Sequence, residues 1–211
     1  MAWGTTIVDS FATSSLVSGL YVDSAYVYAI VQTTFDDIEV YTHDGTLVRS
    51  VDLSGISAFI TDFTMKKDGT FIVLDSATKN IVWVSNDGTA IRTLAFNPES
   101  VNIVSIIELG NGDLLVKTNN IIYHIDTIGT VIKTYPAEIA FQGMNTDGVN
   151  IFSGDNFPNG NMYQISLSNP TVTIKTRSYT IGAGTNDASV PFPQSHFMWI
   201  GSDDSSVYKT Y

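Results

Sequence analysis

The sequence predicts an all-β fold assembled from repeated four-stranded units, and three observations indicate it. A short phrase recurs along the chain: "GTTIVDS" from residue 4, "GTLVRSV" from 45, "GTAIRTL" from 88, "GTVIKTY" from 129 and "PTVTIKT" from 170. The residues that start these phrases are 41, 43, 41 and 41 positions apart. Apolar runs and Asp-Gly turns fill the spacing, and no long helical period with capping residues occurs. Four-stranded repeats of about 40 residues are typical of a β-propeller.

Each unit reads as four consecutive strands. In the second unit, "FITDFTM" precedes the turn "KKDG", and "TFIVLD", "IVWVS" and "TAIRTLAF" follow. The second strands, such as "FIVL", "DLLV" and "FMWI", are nearly continuously apolar. A strand with one face in water alternates apolar and polar residues, so these strands are predicted to be buried on both faces. Ile72, Leu115 and Phe197 are therefore predicted core residues.

The two ends of the chain predict how a ring would close. The last unit supplies "HFMWIG" and "SSVYKTY" and stops without a closing strand, whereas "GTTIVDS" stands alone at the start. We expect the N-terminal segment to complete the last sheet, because this pairing leaves no broken seam. The prediction is a single domain over residues 1–211. It is a five-bladed β-propeller of four-stranded antiparallel blades, with the N-terminal strand completing the last blade.

The strands that close the units carry a resemblance to known proteins. The apolar strand, the Asp-Gly turn and the closing "GTLVR", "GTAIR" and "GTVIK" segments resemble the propeller repeats of the NHL and YncE-like kinds. The resemblance extends over essentially the whole chain. It implies the propeller architecture and does not select the function of one family.

Composition argues against several classes of partner. The net charge is −11 and Lys66–Lys67 is the only adjacent basic pair, so we expect neither nucleic-acid binding nor membrane insertion. The absence of cysteine excludes disulfides and thiolate metal sites. The start "MAWGTT" lacks a signal-peptide pattern, which predicts synthesis in the cytosol. An extracellular-type composition made without an export signal fits a component of a virus or phage particle.

Catalysis is considered because some five-bladed propellers are glycoside hydrolases with paired carboxylates. The predicted innermost strands offer Asp23, Asp62, Glu108 and Asp187. Asp62 and Glu108 lie on neighbouring units, where they could converge. The alternative is that these carboxylates are solvated or cap turns. No other pattern supports a catalytic site, so we expect no enzymatic activity.

Metal and cofactor motifs are also missing from the sequence. His43, His124 and His196 lie on different units, without the short spacing of a metal site. "DNFPNG" lacks the closing Glu of a calcium loop, and "GAGTND" lacks the third glycine of a dinucleotide site. We expect no cofactor and no bound metal.

Loops carry function in a scaffold of this kind. The loops between second and third strands project from one face of a propeller, and those of units four, five and one are neighbours around the ring. They bring carboxylates, an amide and two aromatic rings to one acidic side of that face. The predicted binding residues are Phe35, Asp36, Asp37, Asp155, Asn156, Phe157, Asp203 and Asp204. The alternative is that Asp and Asn are turn residues and the two Phe rings fold inward.

The leading functional prediction is a non-catalytic interaction module, displayed on a larger assembly such as a virus particle and engaged in protein–protein assembly or host attachment. A carbohydrate-binding, lectin-like propeller is the alternative, although five equivalent sugar sites are not expected because the loops differ between units. A glycoside hydrolase is a third and weaker alternative. The irregular segment 179–195 is either a contact loop or an imperfect part of the last unit.

Overall fold

The computed structural model describes residues 7–34, 36–57, 59–98, 102–137, 143–146, 148–154, 161–170, 173–178, 185–189, 198–202 and 205–210. These residues form five four-stranded antiparallel sheets. Sheet 1 contains β2 (Leu16–Val22), β3 (Tyr26–Gln32), β4 (Asp37–Thr42) and β5 (Leu47–Asp52). Sheet 2 contains β6 (Ile60–Met65), β7 (Phe71–Asp75), β8 (Asn80–Val84) and β9 (Ala90–Ala95). Sheet 3 contains β10 (Ile103–Glu108), β11 (Leu114–Thr118), β12 (Ile121–Ile125) and β13 (Val131–Pro136).

The remaining two sheets come from the C-terminal part of the chain and its first strand. Sheet 4 contains β14 (Asn145–Thr146), β15 (Asn150–Gly154), β16 (Asn161–Ser166) and β17 (Thr173–Ser178). Sheet 5 contains β18 (Thr185–Ser189), β19 (Met198–Ser202) and β20 (Ser206–Thr210), and β1 (Ile7–Ala12) pairs with β20 at its edge. The register of that pairing places Ser10 opposite Tyr208 and Ala12 opposite Ser206.

The first strands of the sheets surround a common centre. β2 contacts β6, β6 contacts β10, β10 contacts β14, β14 contacts β18, and β18 contacts β2. Each sheet runs outward from this circuit, so its fourth strand is the outermost. In sheets 1 to 3, the turns after the first and third strands lie at one end of the sheet, here called the turn face. The loops after the second strands of these sheets lie at the other end, here called the loop face.

The hydrophobic core lies between neighbouring sheets, which explains the apolar second strands. In β7, Phe71 and Val73 pack into the core shared with sheet 1, whereas Ile72 and Leu74 pack into the core shared with sheet 3. Both faces of such a strand are therefore buried. The predictions for Ile72 and Leu115 are confirmed, since they are 1% and 2% exposed. The third predicted core residue, Phe197, lies outside the described residues.

The repeated "GT" phrase contacts the preceding sheet through its glycine. Gly88 closes the turn between β8 and β9 with a φ of 89°. A Cβ atom at this position would lie 2.3 Å from the carbonyl oxygen of Asp52 in β5. Only glycine permits this approach together with a positive φ. The same relation recurs at two other turns: Gly45 against Phe11 of β1, and Gly129 against Leu94 of β9.

The basic residue of the phrase reaches in the opposite direction. Arg49 in β5 donates to the carbonyl and side-chain oxygens of Asn86, at 2.9 and 3.1 Å, in the next sheet. Arg92 in β9 donates to the carbonyl of Thr127 and stacks over the ring of Trp83 at 4.3 Å. The phrases at 45 and 88 therefore each join their own sheet to the neighbour on either side, which gives the repeat a physical reason.

Candidate functional site

The predicted acidic side of the loop face is described only in part. Phe35, Asp155, Asn156, Phe157, Asp203 and Asp204 lie outside the described residues. Asp36 and Asp37 are described, and they have different surroundings. The second-to-third-strand loops are described between β7 and β8 and between β11 and β12.

Asp36 is not an exposed contact residue as expected. It is 4% exposed, and its carboxylate accepts a hydrogen bond from the backbone N–H of Ile60, the first residue of β6. Burial raises the pKa of this carboxyl, against the hydrogen bond from Ile60. Its role is to tie the loop of sheet 1 to the innermost strand of sheet 2. The prediction of an exposed Asp36 is wrong because its partner, Ile60, belongs to the next unit, 24 residues away in sequence.

Asp37 is half-buried at the start of β4, where it lies opposite Val31 on one side and Asp52 on the other. Burial raises the pKa of its carboxyl, and the nearby Asp52 charge raises it further. Two acidic side chains facing each other across a strand pair stabilise nothing by themselves.

The innermost strands hold a buried carboxylate, Asp62, at the centre of the molecule. Its side chain is 0% exposed and accepts hydrogen bonds from the hydroxyl of Ser105 and the backbone N–H groups of Ile106 (2.9 Å) and Phe63 (2.8 Å). Burial raises its pKa to about 7, while these hydrogen bonds oppose the shift. Asp62 therefore joins β6 to β10 as a structural group.

The suggested catalytic pair of Asp62 and Glu108 is not assembled. Asp62 faces Ser105, whereas the backbone N–H of Glu108 lies beside the hydroxyl of Thr64, at 3.5 Å. One carboxyl is fully enclosed by protein donors, and the other is half-buried. A glycosidase needs two carboxyl groups that both face the same sugar. The surroundings of Asp62 and Glu108 do not meet that requirement. Nothing is described of the side chain of Asp187.

The described histidines have separate partners. The Nε2 atom of His43 lies 3.0 Å from the carbonyl oxygen of Asp23. The Nε2 atom of His124 lies 2.9 Å from a carboxylate oxygen of Asp113. Within the described part of the chain, no group of three potential metal ligands comes together. His196 falls outside that part. The same residues contain no helix long and apolar enough to cross a membrane.

The turn face contains a cavity of about 710 Å³. Residues from the turns of sheets 1, 2, 3 and 4 line it, and Arg49 of β5 and Asn86 complete its side. Its volume falls within the range of roughly 300–1,000 Å³ that is usual for ligand pockets. The amide of Asn145, which also lines the cavity, donates to the carbonyl of Leu20 at 3.0 Å. That bond links β14 to β2 across the centre of the molecule, so it contributes to a floor.

Three tyrosines form one wall of the cavity. Tyr21, Tyr26 and Tyr28 come from the end of β2 and from β3, and their rings make edge-on contacts with centroids about 6 Å apart. Asp23 orders this wall, because its carboxylate accepts from the N–H groups of Ala25 and Tyr26 and from the Tyr28 hydroxyl at 3.0 Å. Tyr28 is buried, whereas Tyr26 is 36% exposed. The wall thus presents an aromatic surface held in place before any ligand arrives.

Among the described residues, both signs of charge line the cavity in equal number. Its cations are Arg49, Lys66 and Lys67, and its acidic residues are Asp23, Asp68 and Glu108. Three of the ten basic residues of a chain with net charge −11 therefore meet at this face. Most of the six charges are engaged by the protein: Arg49 with Asn86, Asp23 with the tyrosine wall, and Lys66 with Asp68 at 3.7 Å.

Two charged groups remain for a ligand. Among the described residues, neither the ammonium of Lys67 nor the carboxylate of Glu108 makes a hydrogen bond or a close ion pair. Burial raises the pKa of Glu108, although the charges of Lys66 and Lys67 oppose the shift. Burial also raises the pKa of the Tyr21 hydroxyl, helped by the charges of Asp23 and Glu108. Among the described residues, the cavity therefore presents Lys67 and Glu108 as unengaged charged side chains beside the tyrosine wall.

Sequence reasoning missed this cavity and placed the site on the loop face. The signals were present in "YVDSAYVY", with three tyrosines, and in "KKDG", with the only adjacent basic pair. Each signal also has an ordinary explanation as a strand or a hairpin turn. Only the circuit of first strands brings the turns of different sheets together, so neither signal identifies the site alone.

No model of a known protein family matches the sequence, and no curated protein matches it. Solved structures are similar in fold. A chain in the crystal structure of the mitotic checkpoint complex gives a TM-score of 0.66 at 11% identity, with 99% of this chain and 92% of that chain covered. The WD40 propeller domain of Doa1 gives 0.56 at 18% identity, with 92% and 63% covered. Virginiamycin B lyase from Staphylococcus aureus gives 0.52 at 15% identity, with 92% and 67% covered.

The chain is a β-propeller. Identities this low show the fold alone, and the chain spans about two thirds of the lyase and Doa1 chains that it matches. The predicted resemblance to propeller repeats is confirmed at the level of architecture. These neighbours include a lyase, a WD40 propeller domain and a chain of a checkpoint complex, so function has to be argued from the residues of this chain.

Proposed function

We propose that this chain is a non-catalytic propeller module that attaches a larger assembly to a partner through its turn face. The cavity at that face is the observation that carries the proposal. It combines the volume of a ligand pocket, an ordered aromatic wall and two unengaged charges. Aromatic side chains and a few placed polar groups are the usual composition of a binding site.

We further propose that the five sheets are the five blades of one closed ring. β1 pairs with β20, and Phe11 of β1 contacts Gly45 as Asp52 contacts Gly88 in the next sheets. The contact between β1 and sheet 1 therefore matches the contact between β5, the outermost strand of sheet 1, and sheet 2. A closed ring holds the turns of different blades at fixed positions, and the cavity depends on those positions.

The absence of catalysis is part of the proposal. The two carboxyl groups suggested for hydrolysis face different surroundings, since Asp62 is enclosed by three donors and Glu108 opens to the cavity. Among the described residues that line the cavity, no second carboxylate is as free as Glu108. Asp23 already accepts three hydrogen bonds, and Asp68 pairs with Lys66. Binding without bond cleavage is the function that this arrangement supports best.

The larger assembly that we propose is a virus or phage particle. The propeller is made in the cytosol and lies on the surface of the particle. Two fold neighbours support an interaction role in general terms: a chain of the mitotic checkpoint complex and the WD40 domain of Doa1. The partner is a protein or a surface glycan, with no role for nucleic acid or membrane insertion. A lectin-like function is the second candidate, and the tyrosine wall is the observation that favours it.

The proposal is tested by incorporation and partner binding with two sets of variants. The cavity set is Tyr26→Ala with Lys67→Ala. The matched set is Asp203→Asn with Asp204→Asn, at two positions that the sequence predicts for the loop face. We expect the cavity set to lose partner binding while its melting midpoint changes little, because exposed substitutions usually alter stability by within about 0.5 kcal/mol. The loop-face set should bind normally. If the cavity set bound the partner fully and the loop-face set did not, the proposal would be contradicted, and the partner contact would lie on the loop face.

A further inference from the structure

The charge balance of the cavity narrows the chemistry of its ligand. An anionic ligand would meet the free carboxylate of Glu108, and a cationic ligand would meet the free ammonium of Lys67. Charges of like sign within a partly enclosed site repel each other more strongly than they do in water. A ligand with hydroxyl groups avoids this repulsion, because each hydroxyl both donates and accepts. It can accept from Lys67 and donate to Glu108 at the same time.

The tyrosine wall indicates that the ligand also has an apolar face that can pack on an aromatic ring. Tyr26 is 36% exposed, and its ring belongs to a wall that the Asp23 carboxylate holds through three hydrogen bonds. A sugar ring has an apolar C–H face that packs on an aromatic ring, and a polar rim whose hydroxyls point outward. An ordered wall also lowers the entropy lost when the ligand binds. These features match a sugar better than a flexible apolar ligand.

The volume of the cavity favours a sugar chain over smaller ligands that carry both a positive and a negative charge. An amino-acid zwitterion would satisfy Lys67 and Glu108, yet it would fill only a small part of the 710 Å³. A short oligosaccharide fills more of the cavity and contacts the wall and both charges together. Resting on the proposed role of the turn face, we infer that this cavity binds an uncharged oligosaccharide, stacked on Tyr26 and hydrogen-bonded by Lys67 and Glu108.

The experiment is isothermal titration calorimetry of the full chain against a defined panel. The panel contains neutral gluco-, manno-, galacto- and N-acetylglucosamine oligosaccharides, an acidic oligogalacturonate, a cationic glucosamine oligomer and a zwitterionic dipeptide. We expect at least one neutral member to bind, with an affinity that changes little between about 50 and 500 mM salt, since no net charge is neutralised. Tyr26→Ala, Lys67→Ala and Glu108→Ala should each weaken it about tenfold or more.

Lys133→Ala is the matched control, because Lys133 lies in an outermost strand over the ring of Tyr135 and away from the cavity. It should leave the affinity unchanged. If only charged members or the dipeptide bound, and Tyr26→Ala weakened that binding, the inference would be overturned. The cavity would then still be the contact site. Absence of binding by every neutral member would overturn it as well. Neutral binding that none of the three cavity variants weakens would overturn both the inference and the assignment of the cavity.

Discussion

Replacing Gly88 by alanine tests the contact between the repeated phrase and the preceding sheet. Two costs add at this position. A non-glycine residue at a φ of 89° costs about 1–2 kcal/mol. The new Cβ would also lie 2.3 Å from the carbonyl oxygen of Asp52, and a backbone atom cannot rotate away. Forced repacking of this kind typically adds about 1–3 kcal/mol. We expect Gly88→Ala to lose about 2–5 kcal/mol of unfolding free energy.

Gly112 provides the matched control for the backbone cost. Its φ is 91°, and a Cβ there would meet only the methyl group of Thr127, at an ordinary 3.4 Å. Gly112→Ala should therefore lose only the backbone part, about 1–2 kcal/mol. Urea unfolding followed by circular dichroism measures both variants under the same conditions. Equal losses would refute the reasoning, because they would mean that the contact between Gly88 and Asp52 costs nothing.

Three further predictions concern carboxylates in or beside the strands of the sheets. Asp62→Asn should destabilise by about 1–3 kcal/mol, because its amide would face an N–H donor. The difference in unfolding free energy between the wild type and this variant should shrink as pH rises from about 4 to 7. The raised pKa of Asp62 makes the wild type lose stability over that window, whereas asparagine does not titrate. A difference that stays constant in unfolding titrations would contradict the raised pKa. Asp36→Asn should lower the melting midpoint more than Asp37→Asn, because Asp36 holds Ile60; the reverse order in thermal melts would count against that role. Asp9 stands in the first phrase where arginine bridges two sheets in later ones, so Asp9→Arg should gain about 0.5–1 kcal/mol, and a urea midpoint no higher than that of Asp9→Asn would argue against the bridge.

The strands were predictable because their signals are local and repeated. The turn at Gly88, the apolar run around Ile72 and the exposed closing strand each follow from a few adjacent residues. In sheets 1 to 3 the partner strands are also close in sequence, so short connections determine the registers. Segments such as 179–195 gave no comparable signal, because glycines and prolines interrupt the period there.

The candidate site was not predictable for a different reason. Asp36 looks like an ordinary loop carboxylate, and its burial depends on Ile60, 24 residues away. Glu108 looks like a partner for Asp62, yet the stagger of neighbouring strands places it beside Thr64. The cavity joins turns that are far apart in sequence. Contacts of that kind depend on how the sheets are arranged around the centre, which no single segment encodes.

The pairing of β1 with β20 is the claim on which the closed ring depends, and an engineered disulfide tests it most directly. The chain has no cysteine, so Ala12→Cys with Ser206→Cys introduces one defined pair. These two residues are partners in the register, and directly opposed residues have Cα atoms about 4.5–5.5 Å apart, within the range for a disulfide. The control combines Ala12→Cys with Thr134→Cys, in the outermost strand of sheet 3.

The measurement is thiol titration under oxidising conditions, together with electrophoresis without reductant. The account predicts that the pair at 12 and 206 forms an intramolecular bridge, with no free thiol and faster migration of the monomer, whereas the control keeps its thiols. Linking residues so far apart in sequence should also raise the melting midpoint. Free thiols or only intermolecular dimers in the first variant, at the level of the control, would contradict the closure of the ring by the N-terminal strand.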